Sequence, residues 1–428
     1  MATEWRRRTG WQRLACNVLA IGGAIALFTT GPMSHRLSNQ RQGIPQGQDE
    51  WRVRTIPVGW NPGVLAVDAS TGRVFVVNRA MDNQGNIIAA GTVSVLDVAR
   101  GMPLCTAAVG IEPVAVAVDA RTGRVFVINR GPFKGGYATQ GSVSVFGTGC
   151  PRHLAVATSP YRALRTVALV YPISLAVDDR IGRIFVLNGA SLSVLDATSG
   201  LLQRTFQTGV RGALPSEGSV AVIEGRSNSR LVVTNYDPTV VSILDAQSGK
   251  LLHALRVGAQ LGPVAVDTRT RRLFVVDQFN EHGRVSVLDA DTGTLLRTTT
   301  VGNFPGKVVV DERTGRAFVL NRIDSSVSVL DARTGLLLRT VAVGEAAIDL
   351  AVDTLDGRVF VASRLGVSVL DATSGIVQRT LPAGRNPTAI AVDERAGRVI
   401  VANQGPLNSS GSPRGNGSVT IIDTARTS

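Results

Sequence analysis

The sequence predicts an all-β protein: a β-propeller of four-stranded blades, eight in number with seven as the alternative, in a ring closed by its N-terminal strand. Three observations lead there. One segment, Leu65-Ala-Val-Asp-Ala-Ser-Thr-Gly-Arg-Val-Phe-Val-Val-Asn78, returns along the chain every 40 to 59 residues. Its apolar runs, such as Val74 to Val77, are continuous instead of alternating, so both faces of these strands must be covered. The last copy lacks a closing strand, and a matching orphan strand stands at the other end of the chain.

The copies run from Val116 to Asn129, Leu175 to Asn188, Val264 to Asp277, Val308 to Asn321, Leu350 to Ser363 and Ile390 to Asn403, with a degenerate one from Val220 to Asn235 that carries Ile223 in place of the aspartate. A second element follows each: Val93–Asp97, Val143–Gly147, Leu192–Asp196, Val241–Asp245, Val285–Asp289, Val327–Asp331, Val367–Asp371 and Val419–Asp423. A third usually comes next, as in Leu295–Gly302 and Leu336–Gly344. Each unit therefore reads as four short strands rich in β-branched residues, separated by Asp/Gly turns. Four-stranded sheets repeated radially close into a propeller, whereas a linear solenoid would need polar caps that the sequence lacks. The final repeat stops at Asp423 without a fourth strand, and Trp51-Arg-Val-Arg-Thr-Ile-Pro-Val-Gly59 supplies it. The alternative of seven blades applies if Val220–Gly249 fails to form one.

Ahead of this body, Arg6, Arg7, Arg8 and Arg13 precede an apolar stretch from Leu14 to Phe28. A basic region before a short apolar one is secretory-signal architecture, with Ala24-Ile25-Ala26 as a cleavage candidate. Uncleaved, residues 14–30 would act as a short membrane anchor. Either outcome puts the rest of the chain outside the cytoplasm, whether secreted, periplasmic or anchored on the outer side of the membrane. The domain division is a signal or anchor over 1–31, a polar linker over 32–50 and the propeller over 51–426.

The units resemble the YVTN-type β-propeller repeat family on segments such as Val-Phe-Val-Val-Asn78 and Leu-Val-Val-Thr-Asn235. The resemblance spans nearly all of residues 51–426. It implies an extracytoplasmic or cell-surface propeller and says little about activity, because a fold is not a function. Related propellers include lactonases and redox enzymes.

Of 428 residues, 45 are Lys or Arg against 32 Asp or Glu, for a net charge of +13, and only Lys134, Lys250 and Lys307 are lysine. Such a surplus suggests nucleic acid, yet the arginines recur with the repeat. Asp68 and Arg73 stand across a tight turn, and the pair returns as Asp119/Arg124, Asp178/Arg183, Asp267/Arg272, Asp311/Arg316, Asp353/Arg358 and Asp393/Arg398. The expected arrangement is a carboxylate that accepts turn N–H groups, with the arginine folded back beside it. Arg204, Arg297, Arg339 and Arg379 recur on the outer rim. A lattice accounts for this charge better than a nucleic-acid groove, which also needs stacking aromatics.

Catalytic chemistry finds little support. The four histidines, His35, His153, His253 and His282, form no metal-binding motif, so neither metal nor cofactor is expected. No nucleophile elbow or phosphate loop is present. Cys105 and Cys150 are candidates for a disulfide in an oxidising compartment. Loops carry function on such scaffolds. The connection between second and third strands is long in repeats one, two and eight, at 79–92, 130–142 and 404–418. Ring closure makes these neighbours, on the face that also bears the Val-Gly-x-x-Pro turns. Arg79, Asp82, Asn83, Arg130, Phe133, Lys134, Tyr137, Arg385, Asn386 and Arg414 are the candidate contacts for a protein or small ligand. The expected function is a non-enzymatic binding or structural scaffold at the cell envelope. The alternatives are a lactonase-like hydrolase or lyase, with Glu112, Glu217 and Glu224 as carboxylates, and a single-stranded nucleic-acid binder.

Overall fold

The computed structural model describes residues 51–80, 89–134, 137–138, 140–150, 163–189, 191–208, 218–225, 228–235, 239–278, 283–409 and 411–424. The N-terminal signal or anchor, Asp82, Asn83, Glu217, His35, His153 and His282 lie outside them, as do the side chains of Phe133, Lys134 and Tyr137.

Eight four-stranded antiparallel sheets make the ring. Blade 1 comprises Pro62–Asp68, Arg73–Asn78, Ala90–Asp97 and Met102–Ile111, and the later blades repeat it. The degenerate fourth repeat forms a full blade, Gly218–Ile223, Arg230–Asn235, Val240–Asp245 and Leu251–Arg256, which decides for eight. Blade 8 takes its fourth strand from the other end of the chain: Arg52–Trp60 pairs antiparallel with Asn416–Asp423, from Arg52 opposite Asp423 to Trp60 opposite Asn416. First strands of neighbouring blades adjoin one another all round the ring. They form the channel wall, and fourth strands form the rim.

The continuous apolar runs now have a cause. Successive strand side chains point to opposite faces, so Val74 and Val76 enter the core shared with blade 8, while Phe75 and Val77 enter the one shared with blade 2. There are eight such cores, one at each blade junction. A phenylalanine from the second strand, fully buried as Phe75, Phe126, Phe185, Phe274, Phe318 and Phe360, fills most of them.

Two faces follow from strand direction. A turn face carries the connections from first to second and from third to fourth strands. A mouth face carries the second-to-third loops and the passages between blades.

On the turn face the expected Asp–Arg pairing is corrected. Asp68 accepts from the Ser70 N–H at 3.0 Å and the Thr71 hydroxyl at 2.6 Å, and is buried. Its carboxylate is thus occupied by its own turn. Among the described residues no first-turn aspartate forms an ion pair with the arginine five places on. The longer guanidinium reaches outward instead. Arg73 donates to the Thr148 carbonyl (2.6 Å), Arg124 to Thr198 (3.1 Å) and Arg230 to Ala290 (2.9 Å), each in the next blade. Arg272, Arg316 and Arg398 pair with Asp289, Asp331 and Asp423 at the end of their own third strands.

The rim arginines form a second tier of such latches. Arg54, Arg165, Arg204 and Arg297 reach the third-to-fourth turn of the following blade, at Val98, Ser199, Gln247 and Thr334. His253 does the same in blade 4, with Asp291. In blade 1 the equivalent position, opposite Val95, is Cys105. Its sulfur is bonded to Cys150 of blade 2, with Cα atoms 6.0 Å apart. The disulfide thus occupies the place of an arginine latch.

Candidate functional site

The mouth face is built on an asparagine. Asn129, at the end of a second strand, donates to the Ser142 and Ser144 hydroxyls at 3.1 and 3.0 Å and accepts the Gly110 N–H at 2.8 Å. Asn78 and Asn321 bond third-strand hydroxyls in the same way. The residue after this asparagine, or after Ser363 in blade 7, is then fixed at the mouth. Its N–H bonds to the inter-blade turn: Arg79 to the Asn61 carbonyl, Arg130 to Glu112, Arg322 to Phe304, Arg364 to Glu345 and Gln404 to Asn386. The turns themselves use left-handed backbone at Asn61, Glu112, Tyr171, Phe304, Ala346 and Asn386, with φ from 48° to 55°. Glycines of the first strand leave room for the long side chains: Arg79 lies over Gly63, Gln278 over Gly262 and Arg322 over Gly306. A partial ring of cationic and amide side chains results.

Of the candidates, Arg79 and Arg130 are brought together, and Glu112 stands with them. The Arg130 guanidinium lies 3.9 Å from the Glu112 carboxylate, and Arg79 Nε donates to the Pro113 carbonyl at 3.3 Å. Burial pushes the Glu112 carboxyl up from its ordinary pKa, while Arg130 and Arg79 pull it back. Burial likewise lowers Arg79, with Glu112 opposing and Arg130 adding to the shift. One donor and one acceptor here are buried and unsatisfied, Arg130 Nε and Glu112 Oε2. Arg385 and Arg414 are exposed elsewhere on the same face, and Asn386 donates to the Gly405 carbonyl at 2.7 Å. Phe133–Lys134 pairs with Tyr137–Ala138 as a small hairpin within the second long loop.

Sequence reasoning missed Lys307 and Asp349. They lie in adjoining first strands, Lys307 Nζ donates to Asp349 Oδ1 at 2.6 Å, and the Ile390 N–H donates to Oδ2 at 3.0 Å. The signal was available: Val64, Ala115, Ser174, Ser219, Pro263 and Ala389 occupy the same row in the other repeats.

A pocket of about 860 Å³ is on the opposite, turn face between blades 4 and 5. There Arg271 replaces the turn glycine and adopts φ 59°. Its guanidinium bonds Asp291 at 2.7 Å and the Glu224 carbonyl at 3.0 Å, and Arg230 bonds Asp291 at 2.9 Å. In that pocket Arg230 and Arg271 share the Asp291 carboxylate, whereas at the mouth Arg79 and Arg130 stand beside Glu112. Glu112 and Glu224, two of the carboxylates named for a hydrolase, lie on different faces and do not converge; Glu217 lies outside the described residues. Among the described residues no cluster of three His, Cys, Asp or Glu side chains is placed to hold a metal.

No protein-family model and no curated protein matches the sequence. Solved structures do resemble the fold. The Dos1 propeller superposes with a TM-score of 0.61 at 10% identity, covering 87% of this chain and 95% of that one. The computationally designed Ika8 protein gives 0.59 at 16% identity, covering 86% and 99%. BamB from Moraxella catarrhalis gives 0.58 at 14% identity, covering 86% and 98%. At these identities the likeness is one of fold: this chain is an eight-bladed β-propeller.

Proposed function

We propose that the protein is a non-enzymatic scaffold of the YVTN-repeat type, working outside the cytoplasm at the cell envelope. Its channel mouth, where blades 8, 1 and 2 meet, engages an acidic partner, either a protein or a small ligand. The observation that carries this is the Arg79–Glu112–Arg130 group: two guanidinium groups share one half-buried carboxylate and keep a buried N–H unsatisfied. A buried unpaired donor costs about 1–3 kcal/mol until a ligand satisfies it. The Cys105–Cys150 bond and the basic-then-apolar N-terminus support an oxidising, exported setting.

The test is affinity capture from the native envelope with the wild-type chain and with a variant carrying Arg79→Gln and Arg130→Gln. The expected result is a partner retained by the first and weakened about tenfold or more in the second, as loss of charge-assisted contacts predicts. Equal capture by two equally folded proteins would overturn the mouth as the site. Lactone turnover by the purified protein would overturn the non-enzymatic reading.

A further inference from the structure

Exposed apolar side chains are not scattered over this molecule. Of nineteen large apolar residues exposed among the described residues, thirteen lie at the start of a fourth strand. Every fourth strand begins where the chain leaves the turn face, so all thirteen sit on one outer rim. Four others, including Ile323, are on the mouth face.

A repeated irregularity exposes them. In blade 5, Leu295 pairs with Leu288 and Arg297 with Val287, which leaves Leu296 as an extra, bulged residue. Leu295 and Leu296 therefore both face outward, 45% and 47% exposed, instead of alternating in and out. The same shift occurs at this point in blades 1, 3, 4, 6 and 7. Edge strands are usually protected by charge. Here leucine leads and arginine follows.

We propose that this rim is a docking surface for an anionic lipid bilayer, with the leucines entering the boundary between headgroups and acyl chains and the neighbouring arginines meeting lipid phosphates. Three features select a bilayer over a protein. The rotational repeat sets the apolar side chains in one plane perpendicular to the ring axis, so a flat, extended partner meets all of them together, whereas a globular one reaches a few. The same face exposes Arg121, Arg180, Arg269, Arg313 and Arg395, while its first-turn aspartates are buried in their own turns. Apolar side chains beside arginine are what an interfacial surface requires. Finally, Arg52 opens the closing strand opposite Asp423, on this same rim. The chain therefore enters the ring on the side that would meet the membrane. The proposal does not depend on the mouth reading, which concerns the opposite face.

The test uses the full chain with Cys16→Ser and one added cysteine, either Leu296→Cys on the rim or Ile323→Cys on the mouth face, leaving Cys105–Cys150 bonded. Each is labelled with an environment-sensitive fluorophore and mixed with phosphatidylcholine–phosphatidylglycerol vesicles whose acyl chains carry a nitroxide quencher. The label at 296 should shift to the blue and lose most of its emission, more so than with phosphatidylcholine alone, while the label at 323 keeps its aqueous spectrum. Equal quenching at the two positions, quenching at 323 alone, or an aqueous spectrum at both overturns the proposal.

Discussion

A buried carboxylate at the end of every first strand but that of blade 4 organises its turn, and its protonation state matters for stability. Asp353 accepts the N–H groups of Leu355 and Asp356, each at 3.1 Å, through Oδ1, while Oδ2 is buried without a partner. Burial raises its pKa, and the nearby charges of Asp356 and Glu394 add to the rise. A folded-state pKa above the unfolded one means that the folded protein holds the proton more tightly. The contribution is fully present below the unfolded value and lost as pH rises through the folded one. Asp353→Asn keeps the acceptor and removes the charge. It should melt above the wild type at neutral pH, and the gap should close on acidification. Asp353→Ala removes the acceptor and should cost about 1–2 kcal/mol at any pH. Asp196 behaves oppositely, because the Ser199 N–H and hydroxyl hold it below the usual range, so its contribution is lost as pH falls. Backbone strain gives a second residue-scale expectation. Ala346 sits at φ 50°, so Ala346→Gly should stabilise the fold by about 1 kcal/mol, read from urea denaturation.

The blade as an element explains why the repeat ends its fourth strand in Val-Gly. A Cβ on Gly110 would lie 2.7 Å from Asn129 Cγ, inside the group that joins the second, third and fourth strands at the mouth. Gly110→Ala should cost about 1–3 kcal/mol by overpacking, visible as a lower midpoint in denaturant with unchanged slope. The strands, their order and the ring closure were legible in the sequence because each of these features is written many times. Val74 to Val77 says little alone, but eight such runs at one spacing leave few architectures. The asparagine and the Ser-x-Ser beside it were as visible, and were passed over because only strand pairing shows which side chains meet. The arginine partners were misread for a related reason. Asp68 and Arg73 do stand opposite each other. However, a short carboxylate bonds the N–H groups of its own turn, whereas a long guanidinium crosses to a neighbour that sequence distance hides. The mouth was legible as a place, through the three long loops, but Glu112 joined Arg79 and Arg130 only once blades 1 and 2 were seen side by side.

At the scale of the whole molecule, the ring is a set of eight junctions of similar build, each with one apolar core and latches on the turn face. Two are reinforced differently from the rest. The junction of blades 8 and 1 contains Ile56 and Val58 of the closing strand, 2% and 6% exposed, in its core. The adjacent junction of blades 1 and 2 is the one held by the disulfide. The covalent link thus stands one blade from the point where the chain ends must find each other, and joins residues 45 apart in sequence. A loop of that length removes about 3–4 kcal/mol of freedom from the unfolded chain. In a protein of this size that corresponds to a few degrees of melting temperature. Mild reductant, or Cys105→Ser with Cys150→Ser, should therefore lower the midpoint by about 5 °C and leave the β spectrum unchanged below it. Ile56→Ala should cost a further 2–4 kcal/mol or so by opening a cavity at the closing junction. The two losses should add, since the sites lie in different cores. A midpoint insensitive to reductant would show that the latches carry the junction of blades 1 and 2 unaided, and would remove the disulfide as support for an oxidising compartment.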